Sequence, residues 1–190
     1  MDEKAEALPI LLRADARLEQ AVAAVERADD ELRVAAARMH ATLDAFRARS
    51  GYGRAMAGPQ VGVMRRVVVM NLCAAPPVGS GPGPFTLVNP EFLWMSDEWI
   101  EVWDDCLSIP DIVVRVRRRA SVTVRFHDLD WREHVWDRVP AKVAELLQHE
   151  VDHLDGVLMT ARAWGADAVR PISERDALVG AARARRVNVE

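Results

Sequence analysis

The chain is poor in cysteine, with only Cys73 and Cys106 among its 190 residues. Two thiols do not make a disulfide framework, so a reducing, cytoplasmic home is the simplest expectation. The apolar runs fall far short of the roughly 20 residues that span a bilayer, and no membrane partner is expected. The start, Met1-Asp2-Glu3, lacks the basic stretch and apolar core of a signal peptide. Clustered positive charge is also scarce against a net charge of −4. Its one concentration, Arg115-Val116-Arg117-Arg118-Arg119, alternates like a strand and makes a poor nucleic-acid footprint, so no direct nucleic-acid contact is expected. The Pro- and Gly-rich stretch from Ala74 to Pro84 is a loop but no phosphate cradle. No Gly-Lys-Ser/Thr follows it, and Pro82 and Pro84 remove two backbone donors. No internal repeat is visible. What remains is ordinary for one soluble domain over residues 1–190, with half the residues hydrophobic and 28% charged.

The pattern along the chain is helix, then strands, then helix. From an N-cap at Asp29 or Asp30 a helix is predicted to about Arg49. Leu32, Ala35/Ala36, Met39, Leu43 and Phe46 form its apolar stripe, and Ser50-Gly51-Tyr52-Gly53 stops it. Arg66 to Asn71 reads as a buried strand, and Phe85 to Asn89 as another, closed by Pro90. Trp99 to Trp103, Ile112 to Arg118 and Ser121 to Phe126 continue the β pattern. The turn Asp128-Leu129-Asp130 leads to a short strand near Val135. Pro140 opens a second helix, and Ile172 to Arg186 is expected to form a third within a C-terminal extension over 163–190. This order implies an α+β class rather than alternating βαβ units. The six tryptophans, among them Trp94, Trp99 and Trp103, are expected to pack in the core and on strand faces.

The second helix carries Gln148-His149-Glu150-Val151-Asp152-His153, an H-E-x-x-H pattern. Two imidazoles one helical turn apart can bind a single metal ion, with Glu150 beside them to handle protons. The site needs a third ligand. A metzincin would place a His six residues past His153, but that residue is Met159. A thermolysin-like zinc endopeptidase would use a Glu some twenty residues downstream, where Glu174 stands in a polar segment after Pro171. The other candidate is Cys106, in Asp104-Asp105-Cys106-Leu107-Ser108. A thiolate binds zinc or ferrous iron strongly, and two His plus one Cys leave a position open for water. Cys73 has no such company and reads as a small hydrophobe beside its strand. His40, His127 and His134 have no partner at ligand spacing.

Three motifs in order carry a family resemblance. They are Gly53-Arg54-Ala55-Met56-Ala57-Gly58-Pro59-Gln60, then Cys106-Leu107-Ser108, then His149-Glu150-Val151-Asp152-His153. Val61-Gly62-Val63, Val88-Asn89-Pro90 and Leu154-Asp155-Gly156 supply supporting context. From about Leu8 to Arg162 the chain resembles the peptide deformylases, whose motifs are G-x-G-x-A-A-x-Q, E-G-C-L-S and H-E-x-D-H. The resemblance implies short antiparallel sheets packed around a central helix bearing the H-E-x-x-H motif. It implies one divalent metal ion per chain on Cys106, His149 and His153, with Fe(II) native and Zn(II), Ni(II) or Co(II) as alternatives. Glu150 would be the general acid/base, with Gln60 and the backbone N–H of Leu107 as oxyanion donors. Gly53, Arg54, Ala55 and Asp105 would bind the substrate. That substrate would be a formylated peptide N-terminus, met at the ribosome as new chains emerge.

The sequence departs from the family at several of these positions. Ala55 replaces a Gly and Gly58 an Ala, both small-for-small changes. Arg54 stands where the family is mostly aliphatic, and Asp104-Asp105 replaces Glu-Gly. Glu145 lies four residues before His149. Either these residues place charge in the first-residue pocket, or Arg54 turns to solvent and Asp104 pairs with Arg118. Asp152 is read either as an orienting partner of a ligand His or as an exposed helical Asp. A specialised deformylase acting on a non-methionyl formyl-peptide or a small formamide is therefore an alternative. A degenerate, merely binding relative would need neither Glu150 nor Gln60.

Overall fold

The structure, a computed structural model, describes residues 5–72 and 83–182. Cys73 and most of the expected loop from Ala74 to Pro84 lie outside them, as does the end of the expected C-terminal helix. Helix α1 spans Asp30–Ser50, its first free N–H groups capped by Asp29, whose Oδ1 accepts from Leu32 N at 2.8 Å. Gly51 ends it in the left-handed conformation (φ 74°) that glycine adopts without strain. Strands β1 (Ala55–Ala57), β2 (Val67–Met70), β3 (Phe85–Met95), β6 (Val122–His127) and β7 (Glu133–Val139) form one antiparallel sheet in the order β1-β2-β3-β6-β7. A second antiparallel sheet holds β4 (Trp99–Cys106), β5 (Ile109–Arg119) and β8 (Val169–Pro171) in that order. Helix α2 (Ala141–Leu154) touches β1 of the first sheet and β4 and β5 of the second.

The first sheet is covered on both faces near β2, which explains its unbroken apolar run. Val68 and Met70 face the core with Val143, Ala144 and Leu147 of α2. Val67 and Val69 face the other way, onto Leu32, Met39, Leu43 and Phe46 of α1. A third cluster joins Cys106, Val114 and Val116 to Leu158 and Met159, just beyond α2. Helix α2 therefore lies between the sheets, with every residue from Gln148 to Leu154 buried.

The structure corrects several local expectations. Pro90 does not close β3. The ladder with β6 slips between Val88 and Glu91, so proline's missing N–H falls in the irregular stretch rather than in a regular ladder. Asn89 takes a positive φ of 53° there and ties its side chain to both backbone groups of Val25. Strands β1 and β8, three residues each, carry too little pattern to read from sequence. Helix α3 occupies Arg175–Ala182, preceded at Ile172–Glu174 by a turn of 3-10 helix. Of the six tryptophans only Trp136 is core, while Trp103 and Trp131 are half-buried. Trp94, Trp99 and Trp164 are exposed, covered by the guanidinium groups of Arg138, Arg119 and Arg117. No helix among the described residues is long and apolar enough to cross a membrane.

Candidate metal centre

Cys106 ends β4, where the register with β5 slips and the chain turns through Leu107 and Ser108. That slip presents its sulfur to α2. One ligand atom each from Cys106, His149 and His153 falls within a 4.8 Å cluster, and all three residues are buried. The Cys106 Sγ lies 3.2 Å from His153 Nε2. The His149 ring meets Asp104 through Nδ1, 3.1 Å from Oδ2, which turns its other nitrogen toward the cluster. Asp104 and Cys106 alternate onto one face of β4, so the strand that supplies the sulfur also orients the imidazole.

The polar groups of α2 are paired in turn. Gln148 bonds both backbone groups of Arg119, at 2.9 and 3.0 Å. Arg118 is buried and bridges Asp104 to Asp152, with its Nη2 2.7 Å from Asp104 Oδ2. Asp152 also binds Arg162 at 2.8 Å. Asp152 is thus a buried partner of two arginines, and the carboxylate that orients a histidine is Asp104. The pairing of Asp104 with Arg118 is as the sequence suggested.

Electrostatics treat the two imidazoles oppositely. Burial is the largest single influence on His149 and opposes its charge, yet the bond and charge of Asp104 together with those of Cys106 raise its pKa well above the usual value. Asp104 is also desolvated, but His149 and Arg118 together keep its carboxyl below the ordinary range. His153 is pushed well down, by burial first and by the charge of His149 second, into the neutral form that lends a lone pair. Burial raises Glu150 to about 7, so its carboxyl can exchange a proton near neutrality. Glu150 Oε2 and His153 Nδ1 are buried with no protein partner. His153 faces the cluster through Nε2, and an orphaned Glu150 oxygen beside a thiol and two imidazoles fits a bound cation with its water. The soft sulfur and two nitrogens suit zinc or ferrous iron.

Gln60 enters from the turn after β1. Ala57 N donates to its Oε1 at 2.8 Å, which fixes the amide and aims Nε2 at Cys106 Sγ (3.6 Å) and Ser108 Oγ (3.4 Å). Gly58 is tightly held in that turn, where an added Cβ would lie 2.5 Å from the Val63 carbonyl oxygen and force the backbone to shift. Gly53, Arg54 and Ala55 lead into β1 on the same side. Arg54 does not turn away from the protein. Its Nη2 lies 2.6 Å from Glu145 Oε1 and its Nη1 donates to the Lys142 carbonyl at 2.8 Å. Asp105 is paired with Arg175 of α3 at 2.7 Å, and that guanidinium also covers the Tyr52 ring. The part played by Arg175 left no signal in the sequence, since a lone Arg in a polar tail has no pattern.

Glu174 does not join the cluster. Its carboxylate accepts from Arg170 at 2.7 and 3.0 Å, and among the described residues the group able to hold a metal is Cys106, His149 and His153. Of the other histidines, His40 bonds Thr86, His134 bonds Asp128 and His127 stacks on Trp131.

Residues 7–168 match the family model for polypeptide deformylase. The chain is similar to the peptide deformylase of Thermomicrobium roseum, 37% identical over 171 residues that cover 88% of this chain and 92% of that protein. It is similar also to that of Phenylobacterium zucineum, 39% identical over 141 residues, 74% of this chain and 78% of the relative. Among solved structures, peptide deformylase from Thermotoga maritima superposes with a TM-score of 0.73 at 29% identity, covering 84% of this chain and 99% of the other.

Proposed function

The chain belongs to the peptide deformylase family, and we infer from that membership and from its site how it works. It is a metal-dependent hydrolase that removes the N-formyl group from the N-terminal methionine of newly made polypeptides and releases formate. The observation that carries this reading is the buried cluster of Cys106, His149 and His153 with the unpartnered Glu150 carboxyl beside it.

One divalent ion would sit on those three ligands, natively Fe(II), with Zn(II), Ni(II) or Co(II) able to take its place. When bound it supplies Lewis acidity and an activated water at neutral pH. The protein's own groups do the rest. Asp104 holds His149 by Nδ1 and keeps its outer nitrogen available. Glu150, its pKa near neutrality, takes a proton from the attacking water and returns it to the departing nitrogen. The formyl C–N bond breaks, and formate and the free amine leave. Gln60 Nε2, held by Ala57, and the backbone N–H of Leu107 donate to the formyl oxygen as negative charge develops on it. Gly53, Arg54 and Ala55 on one side and Asp105 on the other flank the peptide. The partners of this reaction are formylated N-termini leaving the ribosome in the cytoplasm, and the reaction calls for no direct contact with nucleic acid or membrane.

The test is formate release from formyl-Met-Ala-Ser by protein purified and assayed without oxygen, alongside its metal content. Formate at enzymatic rates from metal-loaded protein supports the reading. Its absence from protein carrying one ion per chain rejects it.

A further inference from the structure

Beside the metal cluster stands an ion pair that joins Arg54, placed above along the peptide, to Glu145. Glu145 lies one helical turn before His149, so the two side chains share a face of α2. Arg54 comes from the segment leading into β1 and reaches across to it, 2.6 Å between Nη2 and Oε1. Arg54 also grips the Lys142 carbonyl. Both charges act on Glu150, Glu145 is acted on by His149, and Arg54 by Asp104 and Asp105. Because Glu145 shares the His149 face of α2 and Arg54 immediately precedes β1, the pair stands beside the reaction site, between the segment and the helix proposed to flank the substrate.

The pair is neither sealed nor idle. The Arg54 side chain is 44% exposed and that of Glu145 16%. A guanidinium carries five N–H donors, and only two of Arg54's partners are protein oxygens. Glu145 has a second carboxylate oxygen beside the one that Arg54 holds. The pair offers a donor and an acceptor side by side. A thioether answers neither well, and covering a charged pair with apolar groups strips water from it without replacement. A primary amide carries an acceptor and a donor on one carbon and can answer both. Glutamine has nearly the length of methionine.

We propose that the Arg54–Glu145 pair sets the first-residue preference, so that formylated N-termini with an amide-ended side chain, glutamine above all, are accepted at least as well as formyl-methionine. The proposal rests on the deformylase reading and extends its substrate class. In it the amide oxygen accepts from Arg54 and the amide N–H group donates to Glu145.

The experiment compares kcat/KM for formyl-Gln-Ala-Ser and formyl-Met-Ala-Ser in the metal-loaded wild type and in the double variant Arg54→Ile/Glu145→Ile. The expected wild-type ratio is at or above one, and in the variant it swings toward methionine by about tenfold or more. Arg54→Gln, which keeps a polar group on this partly exposed position, should move the ratio part of the way and covers the case in which the double variant fails to fold. Competitive inhibition by the unformylated peptides Gln-Ala-Ser and Met-Ala-Ser should follow the same order without any chemistry. Formate release with methionine preferred more than about tenfold in the wild type would overturn the proposal and leave the deformylase reading intact. A ratio that none of the variants moves would also overturn it. No formate from either peptide would overturn both readings.

Discussion

Asp104 Oδ2 lies 3.1 Å from His149 Nδ1, so the strand carrying the Cys106 sulfur also fixes the imidazole of the first histidine. The carboxylate is held in turn by Arg118, 2.7 Å away on the same oxygen. Asp104→Asn should keep the fold but let the ring rotate, and lower metal affinity by about 10–100-fold. Competition against a chelator of known affinity reads the change. Unaltered affinity would show that Asp104 does not orient a ligand.

Metal content should depend on Cys106 and not on Glu174. Cys106→Ala leaves two imidazoles and should be isolated with little or no ion, while Glu174→Ala should retain about one per chain, because Glu174 only pairs with Arg170. Elemental analysis of both variants settles the third ligand. Full occupancy in the alanine variant at Cys106 would sink the assignment.

Glu150→Gln preserves shape but cannot carry the proton. Metal should stay bound while formate release falls by about 10²–10⁴-fold, the usual worth of general acid/base catalysis. Near-normal turnover would remove Glu150 from the mechanism.

Arg118 is the hub of the buried charges, its side chain only 4% exposed between Asp104 and Asp152. Arg118→Leu strips two buried carboxylates of the cation they share, leaving Asp104 with His149 and Asp152 with Arg162. A loss of about 3–5 kcal/mol is expected from urea unfolding, and a larger loss would appear as insoluble protein. Arg118→Lys should rescue little, because an ammonium cannot reach both carboxylates in a fixed fork. A variant within about 1 kcal/mol of wild type would mean that the network contributes little to stability.

His40 supplies a pH dependence away from the centre. Burial between α1 and β3 holds its pKa below the free value, a nearby Asp44 opposing only in part, and its Nε2 meets Thr86 Oγ1 at 3.0 Å. The unfolded chain then binds a proton more readily than the folded one. Stability from this group is complete above the unfolded pKa, near 6.5, and is lost as pH falls through the lower folded value. Urea midpoints at pH 7 and pH 5 should drop more for the wild type than for His40→Asn. Equal drops would refute the assignment.

The candidate metal pair on α2 was legible in the chain because it is written in short spacing. A helix puts residues four apart on one face whatever surrounds it, so His149 and His153 were a pair before any fold was known. Helix α1 was readable for the same reason, with an N-cap, a repeating apolar stripe and a glycine stop all local in sequence. Cys106 came through its motif, 43 residues from His149, but its distance from His153 Nε2 depends on a register slip at the end of β4 that no local pattern announces. Pro90 misled for a related reason, since a bulge spares a strand from an absent N–H only where a neighbouring strand allows it.

Charged side chains were the least readable. Asp104, Asp152, Arg54, Glu145 and Arg175 could each have faced solvent, and sequence gives such residues no preferred partner. Which carboxylate serves His149, and which arginine stands beside the metal cluster, depends on contacts between residues 34 to 91 positions apart. The sequence by itself determined which groups are the candidates for chemistry, because helix geometry and residue type are local. Only the tertiary structure decided which charges hold those groups in place, because a salt bridge is a contact between distant segments and takes its partner from the packing of sheet against helix.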